Sequence, residues 1–364
     1  MSKIRELLAK AVSINASDIH LKPDQDPHYR AAGKLVESGF EKVSAEDMEG
    51  IVQDIMPSHL TVAYEKEHEA DFSFVEEGVG RFRVNVFVAQ HAPNIVMRHV
   101  KTEVPSCAKL GLPPILESFA TVQRGIILLS GTTGSGKSTT LASIIQRMNR
   151  TQRRRIITIE DPVEYMFPDE QCLITQREIG LDTMSFHIAL KHVMRQDPDV
   201  IMVGEMRDGV SFMAALAAAE TGHLVFSTLH SGNASQAIYR ILDLFPADER
   251  DQMRMSIASN LHAIVCQRLI PAIRGGVVPA CEIMMNNSTV RKLLHKNQLE
   301  VLGAAIETGG DDGMQTFNQH IYELIKSGTI SEADGMQQAT NPEALRMNLQ
   351  GIFLDEGKRI LGGE

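Results

Sequence analysis

A chain of 364 residues with 43% hydrophobic content is long enough for two or three domains, each with its own core, and has the composition of a folded globular protein. With 46 acidic against 36 basic residues its formal net charge is −10, so the chain as a whole lacks the positive field that holds nucleic acid non-specifically. No apolar run approaches the ~20 residues of a membrane span and no hydrophobic signal region follows Met1-Ser2-Lys3-Ile4-Arg5-Glu6, so a cytoplasmic protein is expected.

In chain order, residues 4–12 are helix-periodic, and Asp18-Ile19-His20-Leu21 reads as a strand stopped by Pro23. Residues 81–88 alternate, which places Phe82, Val84, Val86 and Val88 on one face and Arg81 and Arg83 together on the other. These segments predict a small α+β domain over residues 1–105. Pro105, Pro113 and Pro114 mark a linker at 106–120, and a second domain occupies 121–364.

The second domain opens on the apolar run 125–130, followed by Gly131-Thr132-Thr133-Gly134-Ser135-Gly136-Lys137-Ser138 and a helical pattern. A strand, a glycine-rich turn and a helix in that order form the setting a P-loop requires. Glycines let successive N–H groups point inward at phosphate oxygens, Lys137 reaches the terminal phosphates, and Ser138 offers its hydroxyl to Mg²⁺. Thr133, Gly134, Ser135, Gly136, Lys137, Ser138 and Thr139 are the candidate residues for binding a nucleoside triphosphate.

Further strand candidates at 155–160, 200–203 and 223–228 alternate with helical patterns, among them 185–194 with Ser185 as N-cap. That alternation predicts α/β organisation around a largely parallel sheet, whose ligands gather at the carboxyl ends of the strands. From about Asp248 onward the pattern reads as helical, with loops at 274–276 and 309–313.

Hydrolysis of a γ-phosphate needs charge neutralisation and an acceptor that orients water. Carboxylates stand at two strand ends. Glu160-Asp161-Pro162-Val163-Glu164 supplies one group and Gly204-Glu205 the other, with Glu205 in the usual metal-side position and Gly204 where many P-loop ATPases carry aspartate. His223 and His230 bracket the last strand candidate. His230, at its carboxyl end, is a candidate to hydrogen-bond γ-phosphate or a neighbouring subunit, and a structural role is the equal alternative.

Residues 131–138, 157–165, 203–208 and 221–230 resemble, in order and spacing, the Walker A, Asp box, atypical Walker B and His box of the secretion ATPases. Ala16-Ser17-Asp18-Ile19-His20 and Gly80-Arg81-Phe82-Arg83-Val84-Asn85 extend the likeness to the compact type IV pilus retraction ATPases, the PilT/PilU group, over nearly the whole chain. The resemblance implies a RecA-like P-loop ATPase core with a smaller N-terminal PAS-like α+β domain, assembled as a homohexamer with nucleotide between the domains. It implies ATP and Mg²⁺ as ligands, with Lys137 and Ser138 as phosphate and metal contacts. Glu164 becomes the water-polarising base and Glu205 a metal-side acid. His223 and His230 become nucleotide or interface sensors, and Arg81, Arg83 and Arg98 match arginines that approach the phosphates. Pilus retraction, twitching motility, an inner-membrane platform protein as partner and a peripheral place at that membrane follow from the same likeness, with a paralogous retraction ATPase as a further candidate partner.

Cys107, Cys172, Cys266 and Cys281 form no CxxC pair, so free buried thiols are expected and zinc is not. The lack of a tetracysteine motif and of an additional large N-terminal domain favours retraction over an extension or secretion ATPase. Ser288-Thr289-Val290-Arg291-Lys292-Leu293-Leu294, where many retraction ATPases carry an Ala-Ile-Arg helix, and the charged tail at 355–359 leave a main and an accessory motor as alternatives. The rival enzyme reading is a hexameric DNA translocase, for which Arg150, Arg153, Arg154 and Arg155 supply a basic cluster. A regulatory ATP-binding partner without turnover is opposed by its intact acids and histidines.

Overall fold

The computed structural model describes residues 3–31, 33–100 and 103–353; the charged tail at 355–359 lies outside the described residues. It divides into two compact units, Met1–Glu103 with Pro162–Met166, and Val104–Asp161 with Phe167–Glu364.

The first unit is built on a six-stranded antiparallel sheet. Its strands are β1 (Asp18–Leu21), β2 (His28–Ala31), β3 (Lys34–Glu37), β4 (Glu69–Glu76), β5 (Gly80–Ala89) and β6 (Ala92–Val100), in the order β3-β2-β1-β6-β5-β4. Strict alternation along β5 buries Phe82, Val84 and Val86 completely. Ile4, Leu7, Leu8 and Ala11 of the helix Lys3–Ser13 and Met48, Val52 and Ile55 of the helix Ala45–Ile55 join them in one core. Ser44 starts the second of these helices by accepting the Asp47 N–H at 3.1 Å.

Directly opposed residues share a face. The register Arg83↔Arg98, Asp18↔Arg98 and Asp18↔Arg30 therefore lays three guanidinium groups and one carboxylate in a row across β5, β6, β1 and β2.

The second unit holds a seven-stranded sheet, ordered β13-β12-β7-β11-β10-β8-β9. Its strands are β7 (Gly125–Ser130), β8 (Arg155–Glu160), β9 (Leu173–Glu178), β10 (Val200–Val203), β11 (Leu224–Leu229), β12 (Leu261–Pro271) and β13 (Val277–Met285). All neighbours are parallel except β12 and β13. Every residue of β7, β10 and β11 is buried, which is why those strands read as continuous apolar runs rather than alternating ones. The helix Phe186–Val193 begins where Ser185 accepts the Ile188 N–H at 3.2 Å, and it buries Ala189, Leu190 and Val193.

The helical expectation from Asp248 onward fails at its centre. Residues 261–285 form the β12–β13 hairpin, whose turn contains Gly275 and Gly276 in the left-handed region at φ +89° and +76°. Leu261, Ala263, Ile264, Val265 and Cys266 are buried beside β7, and that second parallel neighbour overrides the helical spacing read on either side. The segment read as a linker, 106–120, packs into the second unit, with Cys107, Leu112, Leu116 and Phe119 buried. Pro162–Met166, assigned from sequence to the second domain, groups with the first unit.

Candidate functional site

The turn after β7 carries the candidate phosphate cradle. Gly134 and Gly136 adopt φ +78° and +85°, where a side chain is strained. A Cβ on Gly131 would lie 2.4 Å from the Gln267 carbonyl oxygen, and one on Gly136 would lie 2.8 Å from the Gln267 side-chain nitrogen. Bare backbone is therefore required at both places.

Gln267 of β12 braces the loop from beneath. Its Nε2 donates to the Ser135 carbonyl at 2.7 Å and its Oε1 accepts from the Thr140 hydroxyl at 2.8 Å. The helix Lys137–Thr151 starts within this turn. Lys137 is buried, and its ammonium donates to the carbonyls of Gly131 at 2.9 Å and Thr132 at 3.0 Å. Helix N-terminal amides and an ammonium on one short loop make a site for polyanionic phosphate. Ser138 and Thr139 follow in the same first turn. Thr133 lines a cleft of about 630 Å³ shared by Thr132, His230, Ser231, Gly232, Gln236, Tyr239 and Arg240.

The acids and histidines are partitioned by strand direction. β7, β11, β10 and β8 run parallel, so their carboxyl ends lie along one edge with the P-loop. Glu205 follows β10 and His230 follows β11, and His230 Nε2 lies 3.3 Å from Glu205 Oε1. The other oxygen, Oε2, accepts from Arg207 at 2.8 Å. Arg207 is correspondingly held protonated, above its ordinary range, by that hydrogen bond and charge.

Glu160, noted in the sequence only within its acidic stretch, is buried at the end of β8. It accepts from Thr158 at 2.6 Å and Gln176 at 3.2 Å. His223 precedes β11 at the opposite edge, about 20 Å along the strand from His230. Its Nδ1 lies 3.0 Å from the Ala218 carbonyl and 3.1 Å from the Thr221 hydroxyl. The two histidines are thus not brought together, and His223 touches the end of the preceding helix.

Glu164 is exposed and lies in the Pro162–Met166 segment of the first unit. In that unit Arg98 Nε donates to Asp18 Oδ1 at 2.8 Å, Arg30 lies 4.0 Å from the same carboxylate, and Arg83 is 3.9 Å from Asp71. Arg81 Nη1 is 3.7 Å from Met166 Sδ. Burial pushes the Asp18 carboxyl up, but the Ser17 hydroxyl and Arg98 outweigh it and hold the group below its ordinary value.

Sequence reasoning missed Gln267 and Asp18 as organisers. Asp18 shows in the sequence only as one polar residue of a short alternating strand, Asp18-Ile19-His20-Leu21, and Gln267 shows no signal, because the residues around it read as helical. Three arginines of the basic cluster have partners in their own chain: Arg154 donates to the Val122 carbonyl at 2.5 Å, Arg155 to the Gln196 carbonyl at 2.7 Å, and Arg150 pairs with Glu170 at 3.4 Å.

The model of the Type II/IV secretion system protein family matches residues 1–319. The chain is 39% identical over 340 residues to the Type IV pilus retractation ATPase PilT of Pseudomonas aeruginosa, covering 93% of this chain and 99% of that protein. It is 37% identical over 349 residues to the Type IV pilus ATPase PilU of the same organism, covering 96% and 91%. A crystal structure of the pilus retraction motor PilT with bound ADP matches at a TM-score of 0.87 and 41% identity, covering 94% of this chain and 98% of that one.

Proposed function

The chain belongs to the type II/IV secretion system protein family, with a RecA-like P-loop unit and a smaller PAS-like α+β unit, and from that premise we propose that it is a homohexameric ATPase motor that drives type IV pilus retraction. The observation that carries the reading is the position of Lys137. Its ammonium sits on the Gly131 and Thr132 carbonyls at the head of a helix, on the sheet edge where Glu205 and His230 meet.

In this reading the P-loop amides and Lys137 bind the β- and γ-phosphates and offset charge as the terminal group transfers. Gly131 and Gly136 let Gln267 brace the loop at close range, and Ser138 and Glu205 are the oxygen donors that would hold Mg²⁺. The ion, when bound, supplies charge neutralisation at the phosphate oxygens. Glu164 accepts the proton of the attacking water. His230 ties Glu205 to the segment after β11 and so senses nucleotide state. Arg81, Arg83 and Arg98 add positive charge toward phosphate, and His223 serves at a subunit boundary.

In this assignment the unit of residues 1–103 with 162–166 serves as the N-terminal domain, and the unit of 104–161 with 167–364 as the ATPase domain. The motor acts at the inner membrane through a pilus platform protein, with a paralogous retraction ATPase as a second partner. Among the described residues no helix is long and apolar enough to cross a membrane, in keeping with a peripheral place.

Lys137→Ala is the direct test. Loss of the fixed cation should lower ATP turnover at least a hundredfold and abolish retraction when the variant replaces the wild-type gene. Unchanged hydrolysis would overturn the P-loop assignment, whereas hydrolysis without any retraction defect in a deletion strain would overturn the pilus assignment alone.

A further inference from the structure

Residues 230–232 form one wall of the cleft beside Thr132 and Thr133, and the segment from His230 to Ala234 is held by several partners. Arg240 donates to the His230 carbonyl. The Ser231 N–H donates to Ser130 Oγ at 2.8 Å, at the end of the strand that feeds the P-loop. The Gly232 N–H donates to Gln236 Oε1 at 3.2 Å, and the Ala234 N–H donates to Glu282 Oε1 of β13 at 2.8 Å.

These partners all lie close to the site. Arg268 of β12 differs, because its reach extends in two directions. Nη2 donates to the Gly232 carbonyl at 3.4 Å, while Nη1 donates to the carbonyl of Gln338, the last residue of the helix Glu332–Gln338. The guanidinium also lies over the ring of Phe317, 3.9 Å from its centroid, at the start of the helix Phe317–Lys326. Only a planar cation with several fixed N–H groups can stack on a ring and bridge two carbonyls at once.

We propose that Arg268 is a positioning residue for hydrolysis: it fixes the Gly232 carbonyl, and with it the His230–Gly232 wall, to the C-terminal helices through the Gln338 carbonyl, with the Phe317 ring a packing surface rather than part of the link. Movement of those helices is then felt at the cleft wall without passing through the P-loop, whose own brace is the preceding residue, Gln267. The inference rests on the ATPase reading for its kinetic consequence and on the observed contacts alone for its structural one.

Two full-length variants separate positioning from packing. Arg268→Met keeps an apolar stem against Phe317 but has no donors; Phe317→Leu removes the stacked ring and leaves both hydrogen bonds available. In the nucleotide-free protein, amide hydrogen exchange over 230–236 should rise at least tenfold in Arg268→Met, with exchange over 135–140 unchanged. Its kcat should fall about tenfold while ADP affinity stays within twofold, and Arg268→Lys, which spans one carbonyl at a time, should fall between that variant and wild type in kcat and exchange. Phe317→Leu should melt earlier yet keep kcat within twofold. Wild-type exchange and kcat in Arg268→Met overturn the proposal, as does a parallel loss of kcat and melting temperature in both variants. Should Arg268→Met fail to fold, wild-type exchange and kcat in Arg268→Lys overturn it, and intermediate values sustain it. If the wild-type protein hydrolyses no ATP, the proposed function fails while the exchange measurements still decide the role of Arg268.

Discussion

Two glutamates compete for the role of base, and their surroundings separate them. Glu205 stands on the P-loop edge of the sheet, with Oε2 accepting from Arg207 at 2.8 Å and Oε1 3.3 Å from His230 Nε2, a placement that suits the metal-side acid of the proposed function. Glu164 is exposed and has no hydrogen bond or ion pair among the described residues, leaving its carboxylate available to orient a water. General-base assistance contributes about 10²–10⁴ in rate. Glu164→Gln should therefore lower kcat at least a hundredfold with ATP affinity kept within about threefold. Glu205→Gln should instead raise the Mg²⁺ concentration needed for half-maximal turnover. Nucleotide titrations beside steady-state rates at graded Mg²⁺ read both effects, and near-normal turnover in Glu164→Gln would move the base to Glu205.

At the scale of elements, β13 and the helix Phe317–Lys326 are joined by a hydrogen bond that acid should break. The Cys281 N–H donates to His320 Nδ1 at 2.9 Å, which requires an unprotonated nitrogen, and burial pushes the ring's pKa down to about 4. The folded value lies below the unfolded value near 6.5, so the stabilisation is fully present above that pH and is lost as pH falls toward 4. The shift corresponds to roughly 3 kcal/mol across that window. Denaturant unfolding between pH 7 and 4.5 should show this acid limb, and His320→Gln, which keeps an acceptor without titrating, should flatten it. This hairpin is also where the sequence was least legible. The buried parallel strands announced themselves as apolar runs, and the P-loop as residues whose chemistry permits few substitutes. β12 gave no such sign, because Gln267 and Arg268 interrupt its apolar run for reasons that lie in distant parts of the chain, the Ser135 carbonyl and the Gln338 carbonyl. β9 and the outer strands of the first unit were missed because edge positions carry mixed, half-exposed side chains. The same distance effect hid Asp18, whose partners Arg98 and Arg30 are adjacent to it only after three strands have paired.

For the whole molecule, the decisive question is whether arginine and P-loop of one active centre come from the same chain. Arg83→Ala and Lys137→Ala are each expected to be inactive, and in the proposed ring an arginine of one subunit serves the nucleotide of its neighbour. Mixed rings of the two variants should then recover part of the turnover, and mixtures as inactive as either parent, with subunit exchange verified by mass, would place Arg83 in service of its own chain. The four cysteines offer a way to watch such a ring move. All are free and buried. Burial pushes the thiols of Cys107, Cys172, Cys266 and Cys281 up, so little of the reactive thiolate exists at neutral pH. A thiol titration of the folded protein should find almost no fast-reacting group, and all four after denaturation. The native chain is thereby dark to maleimide dyes, so one cysteine introduced at a position as open as Val62, 76% exposed, becomes the sole label on each subunit. Distance changes between dyes on different subunits can then be recorded during a turnover cycle without removing any native sulfur.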